Sequence, residues 1–466
     1  MTTIIDKARI DGQKEIMRRI SALNAARGRA LYAKIMTFGC QQNEADSERI
    51  RGMLSEMGYA PTESDSEADI IVLNTCAIRE HAEAKVFGVI GALTHVKRAK
   101  PDMLIAVCGC MAQRPEVAER IRASYGLVDI VFGTHALWRF AELIEMALTG
   151  GERIFSTESI DGEIAEGLPA IRAREHTAWL PVMYGCNNFC TYCIVPYVRG
   201  RERSRAVETV ITDAKALIES GAKDITLLGQ NVNSYAPEGG MNFPKLLREL
   251  NALDGDFILR FMTSHPKDAG EELFTAMAES PKVARCLHLP FQSGSSRILK
   301  LMNRGYTREQ YISLIETARR IMPDLVITSD VIVGFPGETE ADFAETYSLI
   351  EALRFDALFT FLHSPRPGAP SATFDDPVPR EEKQRWFDNM LELQNGISVE
   401  KHAAYKGKTL RVLIDQETGD ALHPYSGRTN GNRLVRVFGG AELITGEFRD
   451  VRITDYNTWS LIGEVV

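Results

Sequence analysis

Apolar residues recur along this chain with two different periods, and the changes of period divide it. In residues 1–30, Ile16, Ile20 and Leu23 stand at helical spacing and predict an accessory helix. From residue 31 to 150, short apolar runs alternate with amphipathic stretches. Lys34–Phe38, Ala68–Asn74, Met103–Val107 and Val128–Val131 read as strands. Glu44–Met57, the series Val86, Ile90, Leu93, Val96, and Leu137–Leu148 read as helices. This alternation predicts an α/β module built on a doubly wound parallel sheet. Periodicity fades in residues 151–178, which hold Gly, Glu, Asp and Pro and read as a linker.

Residues 179–400 repeat a strand-then-helix unit. The strand candidates are Trp179–Met183, Asp224–Leu228, Phe257–Met262, Cys286–Phe291, Val326–Val333 and Asp356–Phe361. Helices are expected at Arg205–Ser220, Phe243–Leu253, Thr307–Met322 and Glu338–Leu353, with a closing helix over 379–403. Six such units predict a partial (β/α)6 barrel. Polar or glycine-rich motifs follow the strands, among them Leu228–Tyr235, Thr263–Pro266, Leu289–Ser296, Gly334–Thr339 and Ser364–Gly368. Each alone reads as a turn with a helix cap. Five at one barrel end read as a polar mouth. Residues 401–466 switch to short strands between glycine turns (Thr409–Ile414, Arg433–Val437, Glu447–Ile453, Ser460–Val466) and predict a small β-barrel.

Composition narrows the class without naming a chemistry. The chain has 466 residues, 44% hydrophobic and 25% charged, which suits a multi-domain globular protein. No apolar run approaches the ~20 residues of a membrane span, and the N-terminus lacks a secretory pattern. The expectation is a cytoplasmic protein with no membrane partner. Eight cysteines in such a chain point to metal binding rather than disulfides. The net charge of −9 does not favour nucleic acid, yet residues 1–30 hold seven Lys/Arg against three Asp/Glu. Arg199, Arg201, Arg203 and Arg205 form a second basic run, either a solvated face or an aid to RNA binding.

The cysteines supply the chemistry. Cys186, Cys190 and Cys193 are spaced Cys-x-x-x-Cys-x-x-Cys, so three thiols can converge on one soft metal centre and leave a position open. A structural zinc site with a fourth ligand from elsewhere, His176 being the nearest upstream, is the alternative. Cys40, Cys76 and the pair Cys108 and Cys110 stand at the ends of three successive predicted strands, the edge where open α/β sheets bind ligands. Three cysteines at equivalent strand ends suggest a second metal site.

The spacing Cys186, Cys190, Cys193, with Tyr192 just before the last cysteine, resembles the radical S-adenosylmethionine (SAM) superfamily. The resemblance implies that these thiolates hold a 4Fe–4S cluster whose fourth iron binds SAM and cleaves it to a 5′-deoxyadenosyl radical, with Tyr192 near the adenine. It further implies that Gln230, Asn231, Gln292, Ser293 and Gly334 line the SAM pocket. Gly39-Cys40-Gln-Gln-Asn43, Asn74-Thr75-Cys76 and Gly109-Cys110-Met-Ala-Gln113 are similar to the N-terminal domain of the methylthiotransferases. That likeness implies an auxiliary 4Fe–4S cluster on Cys40, Cys76 and Cys110, with Cys108 outside the pattern. Gly427–Asn432 and Thr458–Gly463 resemble a TRAM domain, an RNA-binding appendage. RNA contacts would then fall to Arg428, Asn430, Asn432 and Arg433.

All three modules together, with His288–Ser295 and Leu301–Thr307, resemble the tRNA methylthiotransferases of the MiaB type. The resemblance implies insertion of a methylthio group at carbon 2 of an isopentenyladenosine beside the anticodon. One SAM would give a methyl to sulfur on the auxiliary cluster, and a second would provide the radical. The partners implied are tRNA, a flavodoxin- or ferredoxin-like electron donor and a sulfur donor, with the enzyme acting as a monomer. Sister enzymes acting on threonylcarbamoyladenosine tRNA or on a ribosomal-protein aspartate remain as rivals. So does a catalytically silent iron–sulfur RNA-binding protein.

Overall fold

The structure, a computed structural model, describes residues 3–77, 80–158, 163–439 and 443–466. It divides into two compact units: Met1–Ala173 with Met183–Asn187 and Cys193–Ser204, and Arg174–Val182 with Asn188–Tyr192 and Arg205–Val466.

The first unit is built on a six-stranded parallel sheet. Its elements are α1 (Lys7–Ala25), β1 (Leu31–Thr37), α2 (Gln41–Glu56), β2 (Tyr59–Pro61), β3 (Ile70–Thr75), α3 (Glu80–Ala99), β4 (Leu104–Gly109), α4 (Pro115–Ser124), β5 (Ile130–Phe132), α5 (Phe140–Gly150) and β6 (Ile154–Ser156). The strand order is β2-β1-β3-β4-β5-β6. Val72, Ala106, Ile130 and Phe132 face one apolar cluster with residues of α1, α2 and α5. Ile71, Leu73, Ile105 and Val107 face another with α3 and α4. Both faces are covered, which is why these strands read as continuous apolar runs instead of alternating ones.

Three details differ from the sequence reading. The buried face of α1 is made by Ile10, Met17 and Ile20, while Leu23 is exposed. Two edge strands, β2 and β6, were too short to show a period. The stretch read as a linker begins with β6 and then binds back along α2: Ile171 N–H donates to Glu48 O and Arg51 donates to Ile171 O. Gly52 is needed there, since a Cβ would stand 2.5 Å from the Pro169 backbone. Residues 159–162 of that stretch lie outside the described residues.

In the second unit six parallel strands form two three-stranded sheets. One is β9-β8-β7, from β7 (Thr177–Pro181), β8 (Asp224–Leu228) and β9 (Ile258–Phe261); the other is β10-β11-β12, from β10 (Cys286–His288), β11 (Val326–Val333) and β12 (Ala357–Leu362). An isolated parallel bridge links Leu259 of β9 to Val283, just before β10. The helices include α6 (Val207–Glu219), α7 (Phe243–Asn251), α8 (Glu271–Glu279), α9 (Arg308–Ile321), α10 (Glu340–Leu353) and α11 (Arg380–Ala403). Reciprocal side-chain caps, Thr307 with Gln310 and Thr339 with Asp342, start α9 and α10.

Residues from 409 onward close into a five-stranded barrel, β13 (Thr409–Glu417), β14 (Tyr425–Thr429), β15 (Leu434–Val437), β16 (Phe448–Tyr456) and β17 (Leu461–Val465), in the order β13-β14-β15-β17-β16. Its core is Val412, Ile414, Val435, Val437, Val451, Ile453 and Leu461. Polar contacts fix it to the larger barrel. Arg260 donates to Thr429 O and Asn430 O, both at 3.0 Å, and Arg285 N–H donates to Asn430 Oδ1 at 2.8 Å. Arg433 pairs with Asp356 and lies over the Tyr405 ring.

Candidate functional site

The switch in strand order of the first unit lies between β1 and β3, because the chain leaves β1 toward β2 and then crosses back to β3. Ligand crevices open at the carboxyl ends of strands at such a switch. Cys40 stands there as the N-cap of α2, Cys76 directly follows β3, and Cys110 directly follows β4. Cys76 and Cys110 are buried and Cys40 is half-buried. Cys110 has both other thiols as electrostatic neighbours: burial pushes its thiol up to about 12, Arg199 opposes this, and Cys40 and Cys76 add to it. Backbone space enforces the approach. Gly39 has φ +135°, and a Cβ there would lie 2.6 Å from Cys76 Cβ.

A polar shell holds this crevice. Asn43 donates to Asn74 Oδ1 and Thr75 O, and Asn74 donates to Asn43 O and Ser47 Oγ. Arg199 donates through Nε to Cys110 Sγ at 3.0 Å and through Nη2 to Asp46 at 3.0 Å. Cys108, still within β4, packs in the apolar cluster with Ile130 and Phe132, whereas Cys110 lies past the end of the strand and packs with Ala77, Ile194 and Val198. Of the four arginines in the basic run only Arg201 is exposed. Arg199, Arg203 and Arg205 are buried, and Arg205 donates to Pro181 O and Asp213. As a group they do not offer RNA the exposed charge expected of them.

Cys186, Cys190 and Cys193 fall within eight consecutive residues. Cys186 is buried after a two-residue ladder of Met183–Tyr184 with Arg203–Ser204, and its N–H donates to Gly200 O. Gly185 makes the bend possible: its φ is +77°, and a Cβ would be 2.0 Å from Arg201 O. In the second unit the middle of the loop is clamped by the stretch 301–304. Thr191 N–H donates to Met302 O, Thr191 Oγ1 to Leu301 O, and Asn303 Nδ2 to the carbonyls of Asn188 and Phe189. Fully buried Arg304 places Nη1 3.5 Å from Cys190 Sγ and 3.4 Å from the Tyr192 hydroxyl. Tyr192 packs on Ile298, Met302 and Phe335. Cys193 is half-buried.

Among the described residues no three His, Cys, Asp or Glu side chains are close enough to share one metal ion. A multi-iron cluster spreads its ligands wider than a single ion does. His176, the candidate fourth zinc ligand, is engaged at Nε2 by Asp415 O at 3.2 Å.

Around the barrel mouth, polar atoms are enclosed without a hydrogen-bond partner: Asn231 Oδ1, both polar atoms of the Asn233 amide, Ser264 Oγ, His265 Nε2 and Glu338 Oε1. The asparagines follow β8, and Ser264 and His265 follow β9. Native proteins rarely leave such groups unanswered, so this end of the barrel suits a polar ligand. Burial pushes His265 down to about 2, so it presents a neutral ring there. Burial, opposed by the amides of Gly334 and Phe335, pushes Glu338 up to about 7.

Not every expected pocket residue faces that space. Asn231 does, through Oδ1, while its amide donates to Asp268. Gln230 is half-buried. Gln292 has φ +67° and carries the ladder to β11 through its backbone. Ser293 is buried against Thr346, and the space over Gly334 is filled by Lys383, whose ammonium bonds Gly334 O. Sequence reasoning gave no individual role to Arg304, Asn233, Ser264, His265 or Glu338, and read Arg199 only as part of the basic run. Arg304 was visible inside the Leu301–Thr307 motif, but only folding sets it beside Cys190. In the small barrel, Arg433 is buried in its pair with Asp356 and Asn430 is bound by Arg260 and Arg285, because the turn faces the larger barrel. Arg428 keeps an exposed side chain near Asp415 and bonds Asn432 O.

The cysteine loop and the strand-end polar mouth on a six-stranded parallel barrel define a radical SAM protein, and residues 180–350 match the family described as the Radical SAM superfamily. Residues 32–133 match the uncharacterized protein family UPF0004, and residues 403–466 match the TRAM domain. A radical SAM methyltransferase from Kitasatospora setae, with cobalamin and a [4Fe-4S] cluster bound, shares the fold with a TM-score of 0.53 at 15% identity, over 74% of this chain and 77% of that one. The chain is 50% identical over 434 residues to the tRNA-2-methylthio-N(6)-dimethylallyladenosine synthase of Acetivibrio thermocellus, covering 92% of this chain and 90% of that one. It is 46% identical to the synonymous protein of Alkaliphilus oremlandii, over 99% and 98% of the two chains. The chain belongs to this family of tRNA-2-methylthio-N(6)-dimethylallyladenosine synthases. Membership of the radical SAM superfamily brings with it SAM and a 4Fe–4S cluster. No helix among the described residues is long and apolar enough to cross a membrane.

Proposed function

We propose that this protein is the tRNA-modifying enzyme that inserts a methylthio group at carbon 2 of an isopentenyl-bearing (dimethylallyl-bearing) adenosine next to the anticodon. The observation that carries this reading is the presence, in a chain of this family, of two separate cysteine triads, each with a buried arginine against one thiol. In this reading Cys186, Cys190 and Cys193 hold the SAM-binding 4Fe–4S cluster, and Cys40, Cys76 and Cys110 hold a second. The chemistry that SAM and its cluster supply when bound is one-electron attack on an aromatic C–H, which has no acidic proton for a base to remove.

The chain's own groups do the positioning. Arg304 balances charge at Cys190 while the 301–304 stretch holds the loop backbone. Asn231, Asn233, Ser264 and His265 turn their unanswered polar atoms to SAM, with Tyr192 placed for its adenine. Gln230, Gln292, Ser293 and Gly334 shape the wall, the last three through backbone geometry and packing. Arg199 keeps the second triad's charge compensated, and Asp46 orients Arg199. The adenosine must leave its stack to reach the barrel mouth, as base-modifying enzymes require. On the small barrel Arg428 and Asn432 are the members of the turn left to meet RNA backbone, with Arg433 and Asn430 fixing the turn.

The reading also includes a flavodoxin- or ferredoxin-like electron donor, a separate sulfur donor, action as a monomer and a cytoplasmic location. The test is nucleoside mass spectrometry of tRNA after incubation with reconstituted enzyme, SAM and reductant. A methylthio group on isopentenyladenosine is expected. A product only on threonylcarbamoyladenosine tRNA, or none on any tRNA, sinks the substrate assignment.

A further inference from the structure

One part of the barrel wall holds none of the residues assigned above to the cluster or to SAM. On β12, Phe359 and Phe361 share one face and are 51% and 48% exposed. They lie beside Asp330 and Ile332 in the parallel register, and Thr328 continues the same face of β11. The alternate residues Ser329, Val331 and Val333 are fully buried, and α11 packs against β12, so helices cover the other side of the sheet. His288 reaches across β11 from β10 and meets Phe359 edge-on, with ring centroids 5.6 Å apart at 80°. Rings two strands apart approach this closely on the concave side of a curved sheet, which is the barrel lumen. Both ring nitrogens of His288 are engaged, Nδ1 with Thr328 Oγ1 at 3.0 Å and Nε2 with Asp330 Oδ1 at 3.3 Å. Asp330 keeps 29% of its side chain exposed. Ile332, beside Phe361, packs on the same cluster as Tyr192.

We propose that this wall selects the N6 substituent of the tRNA adenosine, with Phe359 and Phe361 gripping an apolar branched alkenyl group and Asp330 accepting the N6–H. The inference rests on the function proposed above and deepens it by naming the specificity-determining residues. Two half-exposed phenyl rings side by side in a lumen are an apolar patch awaiting contact. A flat base and a short hydrocarbon chain offer the matching shape, and rings stack bases without reading their sequence. Asp330 gives the wall a sign. Held in place by His288, its carboxylate welcomes the single N–H of an N6-alkylated adenine. It repels a substituent that carries its own carboxylate, such as threonylcarbamoyl, since like charges across a partly desolvated gap disfavour binding.

The experiment compares kcat/KM of the reconstituted holoenzyme on three tRNAs: prenylated, unmodified and threonylcarbamoylated. The readout is the ratio of methylthiolation between them, by mass spectrometry. Wild type is expected to prefer the prenylated tRNA. Phe359→Ala and Phe361→Ala should each lower that preference roughly 10- to 100-fold, the scale at which apolar pockets discriminate. Phe359→Leu with Phe361→Leu keeps the apolar bulk and should retain most of the preference, which guards against loss by misfolding. Asp330→Asn should raise the use of threonylcarbamoylated tRNA relative to prenylated. A wild-type preference left intact by both alanine variants overturns the wall and leaves the proposed function standing. A wild type that prefers threonylcarbamoylated tRNA overturns both.

Discussion

The two cysteine triads reach similar surroundings by opposite routes. Cys186, Cys190 and Cys193 belong to one short loop, and its backbone is held by carbonyl and amide contacts from residues 301–304. Cys40, Cys76 and Cys110 come from the ends of three strands and meet only because those strands are neighbours in the sheet. Each triad has one buried arginine against a thiol, Arg304 at Cys190 and Arg199 at Cys110. A loop can be read from spacing, whereas a strand-end site is a property of topology. The difference also separates their vulnerabilities: the loop depends on its clamp, and the strand-end site depends on the whole sheet.

The sharpest way to break the comparison is to remove the thiols. Cys190→Ala should reduce 5′-deoxyadenosine formation by more than the roughly 10- to 100-fold that outer-shell changes cost. Replacing Cys40, Cys76 and Cys110 together by Ala should about halve the bound iron, abolish methylthiolated product and leave SAM cleavage measurable. Full product from the triple variant would remove the second site from the chemistry. Cys108→Ala should keep the iron, because its side chain lies in the apolar cluster; loss of half the iron would exchange the roles of Cys108 and Cys110.

The units should next differ in how pH acts on them. Asp69, in the first unit, feels a burial penalty that Arg29, Lys100 and the Tyr32 N–H outweigh, so it is held at about 2. Its contribution, about 2 kcal/mol, is present above the unfolded carboxylate value and is lost as pH falls through about 2. Glu338, in the second unit, is raised to about 7 by burial. Its contribution, about 3 kcal/mol, is complete below the unfolded value and is lost as pH rises through about 7. Denaturant midpoints of the apoprotein followed from pH 5 to 8 should fall in wild type and stay flatter in Glu338→Gln. Equal slopes would disprove the buried, protonated carboxyl.

The smallest effects test the two arginines. Arg199→Ala and Arg304→Ala should each cost about 10- to 100-fold in activity, as outer-shell partners of metal ligands do. Arg304→Ala should slow SAM cleavage itself, and Arg199→Ala only the methylthiolated product. If both variants slow the same step, the triads are not functionally separate in the way their surroundings suggest.

Local pattern was enough to read the strand–helix alternation, the six-stranded barrel, the closing small barrel and the cysteine loop, because period and spacing are short-range properties. The same holds for Cys40, Cys76 and Cys110 as residues at strand ends. What folding decided is what lies beside them. Arg199 and Arg205 look like a solvated basic run in sequence, yet they are buried because Cys110, Asp46, Pro181 and Asp213 accept their donors. Arg433 looks like an RNA contact, yet Asp356, 77 residues away, takes its charge. Asn233, Ser264 and His265 lie in motifs that read as one polar mouth, but only the fold shows that their polar atoms are enclosed there without a partner. Residue type and period are written in neighbours along the chain, while charge compensation and orphaned polar groups depend on contacts between residues far apart in it, which form only when the backbone is folded.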